Sequence, residues 1–367
     1  MHHKSRNQAL DILRGLAILL VLGCHFNYFE LWGRIGWTGV DLFFVLSGFL
    51  ISGLLFSEQK RSGSIDIKRF LIRRGFKIYP SFYLLMALTT FSCFFMGERV
   101  LRKLVASLLF LQNYVPWIWQ HTWSLAVEEH FYLMLPLLLL LMAKKSGNKK
   151  DPFQAIPWVF AGLAATCLSL RVIETASGVP SPAIYIQTHL RIDSLFAGVT
   201  LGYYRHYRPD FFKRLTEKPI WIPGILLLVP TFFFPLYSPV MDTIGFTSLY
   251  LGYGCIVAWA ADLPSSTGLA ARAIAWTGRH SYSIYLWHLP IRILLFSGKL
   301  NFIWFLIGMS TSIAGGVGMS LLIEFPYIKM RDRLFPARNV PQTMKDNPRT
   351  TATAVAHSFP QTQILDA

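Results

Sequence analysis

Charged side chains are scarce in this sequence. Asp, Glu, Lys and Arg together make up 15% of the 367 residues, whereas an ordinary soluble domain has about 25%. Hydrophobic residues make up 53% and aromatic residues 15%. No soluble core could enclose that much apolar surface, so the composition excludes a string of soluble domains and predicts a chain that uses lipid as its solvent.

Cysteine is also rare, and its placement excludes two kinds of site. The four cysteines stand in apolar runs, with no CxxC pair and no Cys and His at the spacing that holds zinc. We therefore predict neither a disulfide framework nor a bound metal. The cysteines are expected to pack as small hydrophobic side chains: Cys24, Cys93, Cys167 and Cys255.

Acidic residues are few beside basic ones, 19 against 35, which gives a formal net charge of +16. In a soluble protein such an excess is typical of nucleic-acid binding, but in a membrane protein it records which loops face the cytoplasm. A membrane span needs about 20 mostly apolar residues. Ten candidate segments are present: 11–29, 38–56, 77–96, 130–143, 157–174, 191–204, 220–236, 244–262, 281–297 and 302–323.

The basic residues follow that topology. With the N-terminus inside, 26 of the 35 fall in pieces that would face the cytoplasm, as the positive-inside rule requires. The sequence thus predicts an all-α integral membrane protein of about ten transmembrane helices, with both termini cytoplasmic and no nucleic-acid partner. It divides into a membrane domain over 1–335 and a disordered cytoplasmic tail over 336–367.

The first span carries ionisable side chains, which are costly in a membrane and usually functional. Arg14 and His25 are eleven residues apart, so on a helix they share one face at an axial separation of roughly 16 Å. Asp11 can pair with Arg14. An arginine that holds phosphate and a histidine that accepts a proton suit a long anionic substrate such as acyl-CoA. The alternative is a snorkelling arginine and an interfacial histidine.

Further polar groups stand near the ends of the next spans. Asp41 begins the second span at a depth similar to that of His25, where it could orient the imidazole or simply favour a helix N-terminus. Arg69, Arg73 and Lys77 form a basic stripe at i, i+4 and i+8. Such a stripe suits either the nucleotide phosphates of CoA or anionic lipid.

Two carboxylates, Glu128 and Glu129, precede His130 at the start of the fourth span, on the side predicted to face outward. They predict a polar acceptor site with Glu129 as binder or proton acceptor, although acidic groups also stabilise a helix N-terminus without any ligand. Other candidates for substrate binding or chemistry are weaker when taken singly: Ser124, Arg191, Asp193, His288 and Glu324.

Together these motifs resemble the membrane acyltransferase-3 family, multi-pass O-acyltransferases found largely in bacteria. The resemblance covers about residues 11–290. It rests on six stretches that stand in family order: LDILRGLAILLVLGCH, GVDLFFVLSGFLIS, FLIRRGFKIYPSF, WSLAVEEHFYLMLP, RIDSLFAGVTLG and SYSIYLWHLPI.

The resemblance implies transfer of an acyl group, usually acetyl, from cytoplasmic acyl-CoA to a hydroxyl of a sugar at the bacterial inner membrane. It implies no tightly bound cofactor, acetyl-CoA as co-substrate, a carbohydrate or lipid-linked glycan as acceptor, and the bilayer as surroundings. The arginine and histidine essential to the family fall on Arg14 and His25. The basic cluster of the family falls on Arg73, Arg74 and Lys77, the last of which is commonly Arg.

We therefore predict a membrane O-acetyltransferase. Acetyl-CoA would bind through Arg14 and the basic cluster, and His25 would either deprotonate the acceptor hydroxyl or carry the acetyl group briefly. Asp41 or Glu129 would orient His25 or the acceptor. The acceptor stays open among O-antigen, exopolysaccharide, peptidoglycan, macrolides and lipochitooligosaccharide nodulation signals. The alternatives are a transporter of a glycan or lipid and a structural partner in a glycan-assembly complex.

Overall fold

The protein is built from α-helices. The computed structural model describes residues 7–97, 99–295 and 301–336, and within those ranges it contains no β-strand. The first helices are α1 (Gln8–Phe26), α2 (Glu30–Ile35), α3 (Gly39–Ser62), α4 (Ile67–Phe95), α5 (Leu101–Leu108), α6 (Trp123–Lys145) and α7 (Ile156–Ala176). They are followed by α8 (Ser181–Ile186), α9 (Thr188–Tyr207), α10 (Pro209–Thr216), α11 (Trp221–Leu228), α12 (Pro230–Phe233), α13 (Phe246–Ala260), α14 (Leu269–Arg279), α15 (Ser281–Leu295), α16 (Phe302–Met319) and α17 (Phe325–Leu334).

Seven helical stretches in the described ranges are long and apolar enough to cross a membrane: Gln8–Phe26, Glu30–Ser62, Ile67–Phe95, Gln120–Lys145, Ile156–Ala176, Met241–Ala260 and Phe302–Leu334. The predicted all-α, multi-pass membrane class is thereby confirmed. The remaining three predicted segments are helical but differ from a full apolar span. α9 is more polar, α11 and α12 have only 8 and 4 residues, and α15 has 15. For these three, membrane crossing stays a prediction.

α3 and α9 pack closely because a glycine stands on each helix where they meet. A Cβ atom on Gly48 of α3 would collide with the Leu195 carbonyl of α9, and one on Gly198 of α9 would collide with the Val45 carbonyl of α3. Small residues at such positions let helix backbones approach each other within a membrane. The close approach holds the two helices in a fixed register.

Two fully buried ion pairs fasten α9 to its neighbours. Asp41 of α3 accepts a hydrogen bond from Arg191 of α9, and Asp193 of α9 binds Arg171 of α7 at 2.9 Å; all four side chains are 0% exposed. Arg191 holds one oxygen of the Asp41 carboxylate, and no hydrogen bond joins Asp41 to His25 among the described residues. Arg191 and Asp193 are enclosed between helices, where these ion pairs hold the helices together. The catalytic role predicted for Asp41 and the substrate-binding roles predicted for Arg191 and Asp193 stay predictions.

The C-terminal helix α17 lies against the basic stripe at the start of α4. Arg73 binds Asp332 at 3.0 Å and donates a hydrogen bond to the Phe335 carbonyl at 2.6 Å. Arg69 donates to the same carbonyl at 3.5 Å. Arg73, which was predicted to hold the phosphates of CoA, is therefore engaged by the protein itself. Residues 337–367, nearly all of the predicted disordered tail, lie outside the described part of the chain.

Candidate active site

A first cavity, of about 100 Å³, lies among α1, α3, α4, α6, α14 and α15. Its cations come from α1, α4 and α14, and its carboxylates come from α6 and the turn before α17. We call it the basic cavity, and its charged lining residues are Arg14, Arg74, Lys77, Arg279, Glu128, Glu129 and Glu324. Three of the four predicted phosphate-binding residues therefore converge on one cavity, and only Arg73 stands outside its lining.

The two carboxylates of α6 also belong to the basic cavity. Tyr79 donates a hydrogen bond to Glu129 at 3.1 Å, and Tyr132 donates one to Glu128 at 2.8 Å. Ser124 is four residues before Glu128, so the two share one face of α6, and both line this cavity. The sequence predicted Glu128 and Glu129 for an acceptor site and Ser124 for substrate binding. The structure brings all three into the cavity that the cations line, and their role in binding an acceptor stays a prediction.

A second and larger cavity, of about 750 Å³, lies beside the opposite end of α1. We call it the histidine cavity. Its aromatic and charged lining residues are His25, His121, Trp37, Trp117, Trp119, Trp123, Tyr185, Tyr237, Tyr285, Lys103 and Arg292. A mostly apolar and aromatic wall with a few polar groups, around a space of this size, is typical of a ligand-binding site.

The hydrogen bonds around His25 determine which of its ring nitrogens carries the proton. Nδ1 of His25 lies 2.9 Å from the Val21 carbonyl, and Nδ1 of His288 lies 2.6 Å from the Tyr285 carbonyl. A carbonyl oxygen only accepts, so each Nδ1 carries a hydrogen. Nε2 of His288 is then an acceptor, 3.2 Å from Nδ1 of His25. Nε2 of His25 is left as the unprotonated nitrogen that can take a proton from a ligand.

His288 and His121 complete the polar surroundings of His25. His288 is fully buried, and its ring centroid lies 4.8 Å from that of His25 and 5.2 Å from that of His121. Nε2 of His121 donates to the Leu286 carbonyl, so its Nδ1 is a buried acceptor with no hydrogen-bond partner among the described residues. The sequence indicated His288 only weakly and did not indicate His121. The available signal was a histidine in an apolar stretch.

The two cavities meet at Val40 and Tyr285, which line both of them. The Tyr285 hydroxyl donates a hydrogen bond to the His121 carbonyl at 2.6 Å and lies 2.7 Å from the Ser124 hydroxyl. Val40 and Tyr285 therefore form a wall that the two cavities share. α1 contributes residues to both, as the spacing of its arginine and histidine predicted.

Comparison with known proteins identifies the family of this chain. Residues 7–326 match the family model described as an acyltransferase domain. The chain belongs to the membrane acyltransferase-3 family. Members similar to it include the peptidoglycan O-acetyltransferase OatA of Listeria monocytogenes, 28% identical over an alignment of 310 residues that covers 77% of this chain and 49% of that protein. The O-acetyltransferase OatA of Staphylococcus aureus is 30% identical over an alignment of 315 residues that covers 77% of this chain and 50% of that protein.

A third relative in the acyltransferase-3 family is the putative peptidoglycan O-acetyltransferase YrhL of Bacillus subtilis. It is 26% identical over an alignment of 325 residues that covers 80% of this chain and 50% of that protein. The chain thus spans about half the length of the curated relatives it matches. No solved structure matches it.

Proposed function

We propose that this acyltransferase-3 protein is a membrane O-acetyltransferase that moves an acetyl group from acetyl-CoA to a hydroxyl of a glycan. The observation that carries the proposal is the pair of cavities beside α1, one lined by cations and the other by His25, with Val40 and Tyr285 lining both. The names of the relatives, which describe O-acetyltransferases, support the reaction class. We place the basic cavity toward the cytoplasm, in line with the positive-inside rule.

The donor would enter through the basic cavity. The phosphates of acetyl-CoA are multiply charged, and Arg14, Arg74 and Lys77 line the space that they would occupy. Guanidinium groups bind phosphate oxygens in pairs. The roughly 16 Å between the levels of Arg14 and His25 on α1 suits the thin pantetheine arm, which would carry the thioester toward Tyr285.

The chemistry would take place at Nε2 of His25. This nitrogen accepts the proton of the glycan hydroxyl while the oxygen attacks the thioester carbonyl; the carbon–sulfur bond breaks, and the proton passes on to the CoA thiolate. In the other route, Nε2 attacks the thioester carbonyl and the CoA thiolate leaves. The glycan hydroxyl then attacks the acetyl-histidine, which frees Nε2, and the hydroxyl proton passes to the thiolate. Both routes need the unprotonated Nε2 that the bonds to Val21 and His288 leave in place.

Labelled acetyl-CoA distinguishes this enzyme from a transporter. Inverted vesicles that contain the protein and cell-envelope glycan are expected to release CoA and to transfer the labelled acetyl group to the glycan. A transporter would move glycan without modifying it. Mass spectrometry of cell glycans and lipo-oligosaccharides, with and without the gene, would identify the acceptor by the acetyl group that is lost. An unchanged acetylation pattern together with no CoA release would contradict the proposal.

Substitution of Arg14 or Arg74 by alanine is expected to raise the KM for acetyl-CoA by about 10- to 100-fold, because each change removes charge-assisted hydrogen bonds to phosphate. The kcat should change far less, since His25 lies in the other cavity. The control is Arg272→Ala, which removes an exposed arginine of α14 that does not line the basic cavity. An unaltered KM in both cavity variants would argue against the phosphate role.

A matched pair of substitutions at His288 tests its role as a positioning residue. Glutamine places an acceptor oxygen near the position of Nε2, whereas asparagine retains only a donor near Nδ1, toward the Tyr285 carbonyl. We expect His288→Gln to keep kcat within about threefold and His288→Asn to lower it by about tenfold or more, with KM unchanged in both. The 15N NMR signals of labelled histidine should show His25 losing its single tautomer only in His288→Asn. Equal losses of kcat in both variants would contradict the positioning role.

A further inference from the structure

The charged side chains that line the histidine cavity are all positive. Within 7–97, 99–295 and 301–336, its lining contains two cations, Lys103 and Arg292, and no acidic side chain. The basic cavity differs, because three carboxylates stand there among the four cations. The larger cavity therefore offers positive charge without an internal counter-charge.

Of the two cations, Arg292 gives the stronger evidence for an anion-binding site. It lies one turn after His288 on α15, so both residues share a helix face, and its guanidinium carbon is 5.9 Å from the ring of Phe26. Among the described residues, its buried Nε has no hydrogen-bond partner and Arg292 forms no ion pair. The fully buried arginines Arg171 and Arg191, in contrast, each bind a carboxylate. A partly buried guanidinium with an unused donor is costly unless an anion binds it.

The rest of the wall suits sugar rings. Four tryptophans line the cavity, and an indole offers a large apolar face together with one polar N–H. Nδ1 of His121 is a buried acceptor that could receive a hydrogen bond from a hydroxyl. A volume of about 750 Å³ lies within the usual range of about 300–1,000 Å³ for ligand sites. Aromatic faces, one hydroxyl acceptor and two cations together match a saccharide that carries an acid group.

We propose that the acceptor is an anionic saccharide whose carboxylate or phosphate binds Arg292 and Lys103 while its sugar rings pack on the tryptophans. This inference rests on the proposed function, because it assigns the histidine cavity to the acceptor. It makes Arg292 and Lys103 the residues that determine acceptor specificity. It also orients the acceptor, since an acid group held one turn from His288 directs the neighbouring hydroxyls toward His25.

The test measures binding of soluble probes to the purified full-length protein in nanodiscs. The probes are trigalacturonate for carboxylate, maltotriose phosphate for phosphate, and their neutral counterparts, methyl-esterified trigalacturonate and maltotriose. At least one acidic probe should bind about 10- to 100-fold more tightly than its neutral counterpart, and the stronger of the two identifies the acid group. The substitutions Arg292→Gln and Lys103→Gln should remove that preference. Arg102→Gln should retain it, because Arg102 is an exposed neighbour on α5 that does not line the cavity.

Equal affinity for acidic and neutral probes would overturn the inference. So would an Arg292→Gln variant that keeps the preference, or one that loses acetyl transfer while its probe affinities stay normal, since the guanidinium would then serve the reaction rather than the acceptor. Release of CoA from labelled acetyl-CoA reports on the proposed function separately. Selective binding of an acid probe without any acetyl transfer would support the anion subsite and contradict the acetyltransferase.

Discussion

Replacement of His25 by alanine is expected to lower acetyl transfer to glycan by at least about 100-fold, the range in which loss of a general base falls. The physical reason is that Nε2 of His25 is the ring nitrogen left unprotonated by the bonds from Nδ1 to the Val21 carbonyl and His288. Binding of acetyl-CoA should persist, because the residues proposed to bind its phosphates line the basic cavity. The measurement is transfer of labelled acetyl by vesicles that contain equal amounts of inserted protein.

A matched control is His206→Ala. His206 donates from Nδ1 to the carbonyl of Gly202, four residues earlier in its own helix, as His25 does to Val21. It lines neither of the two cavities. Transfer should therefore survive in His206→Ala. If His25→Ala protein is correctly folded and inserted and still transfers acetyl at a near-normal rate, that result contradicts the assignment of His25 as the reacting base.

Substitution of one partner in the buried pair of Asp41 and Arg191 is expected to destabilise the fold by about 3–5 kcal/mol, because the remaining charge stays in the protein interior without its counter-charge. Asp41→Asn should lower the thermal unfolding temperature in detergent strongly. The acetyl transfer per folded molecule should remain close to normal, since the carboxylate does not contact His25. Loss of transfer at unchanged stability would instead support the catalytic role that the sequence predicted for Asp41.

The double variant Asp41→Asn with Arg191→Met removes both charges and should recover most of the lost stability. The pair of Arg205 and Asp262, 3.1 Å apart, provides the comparison, because its aspartate is 42% exposed. Breaking it by Asp262→Asn should cost no more than about 1 kcal/mol, because solvent screens the exposed carboxylate. Equal losses at the buried pair and at this partly exposed pair would show that burial does not determine the strength of these pairs.

The sequence was sufficient for features that depend on neighbours along one helix. Apolar run length predicted the all-α membrane class, and eleven helical steps placed Arg14 and His25 on α1 at the level of two different cavities. The basic residues Arg74 and Lys77 were also predicted to lie near Arg14, and they line its cavity. The family motifs supported these predictions, because each motif lies within one short segment of regular structure.

The features that the sequence could not predict depend on contacts between distant segments. His288 meets His25 across 263 positions, and Asp41 meets Arg191 across 150. Helical spacing gives the face on which a side chain lies but not the helix that packs there. Asp41 therefore looked like a partner for His25, although the register of α3 and α9 assigns it to Arg191.

The wall of Val40 and Tyr285 also has a consequence for the cell. Carrying one elementary charge across a membrane at 100 mV changes its free energy by about 2.3 kcal/mol, so an open passage between the two cavities would dissipate the membrane potential as ions leaked through. Tyr285, anchored through its hydroxyl to Ser124 and the His121 carbonyl, stands where the two cavities adjoin and narrows any such passage. In the reaction proposed above, this partition would let an acetyl group pass without turning the protein into an ion channel.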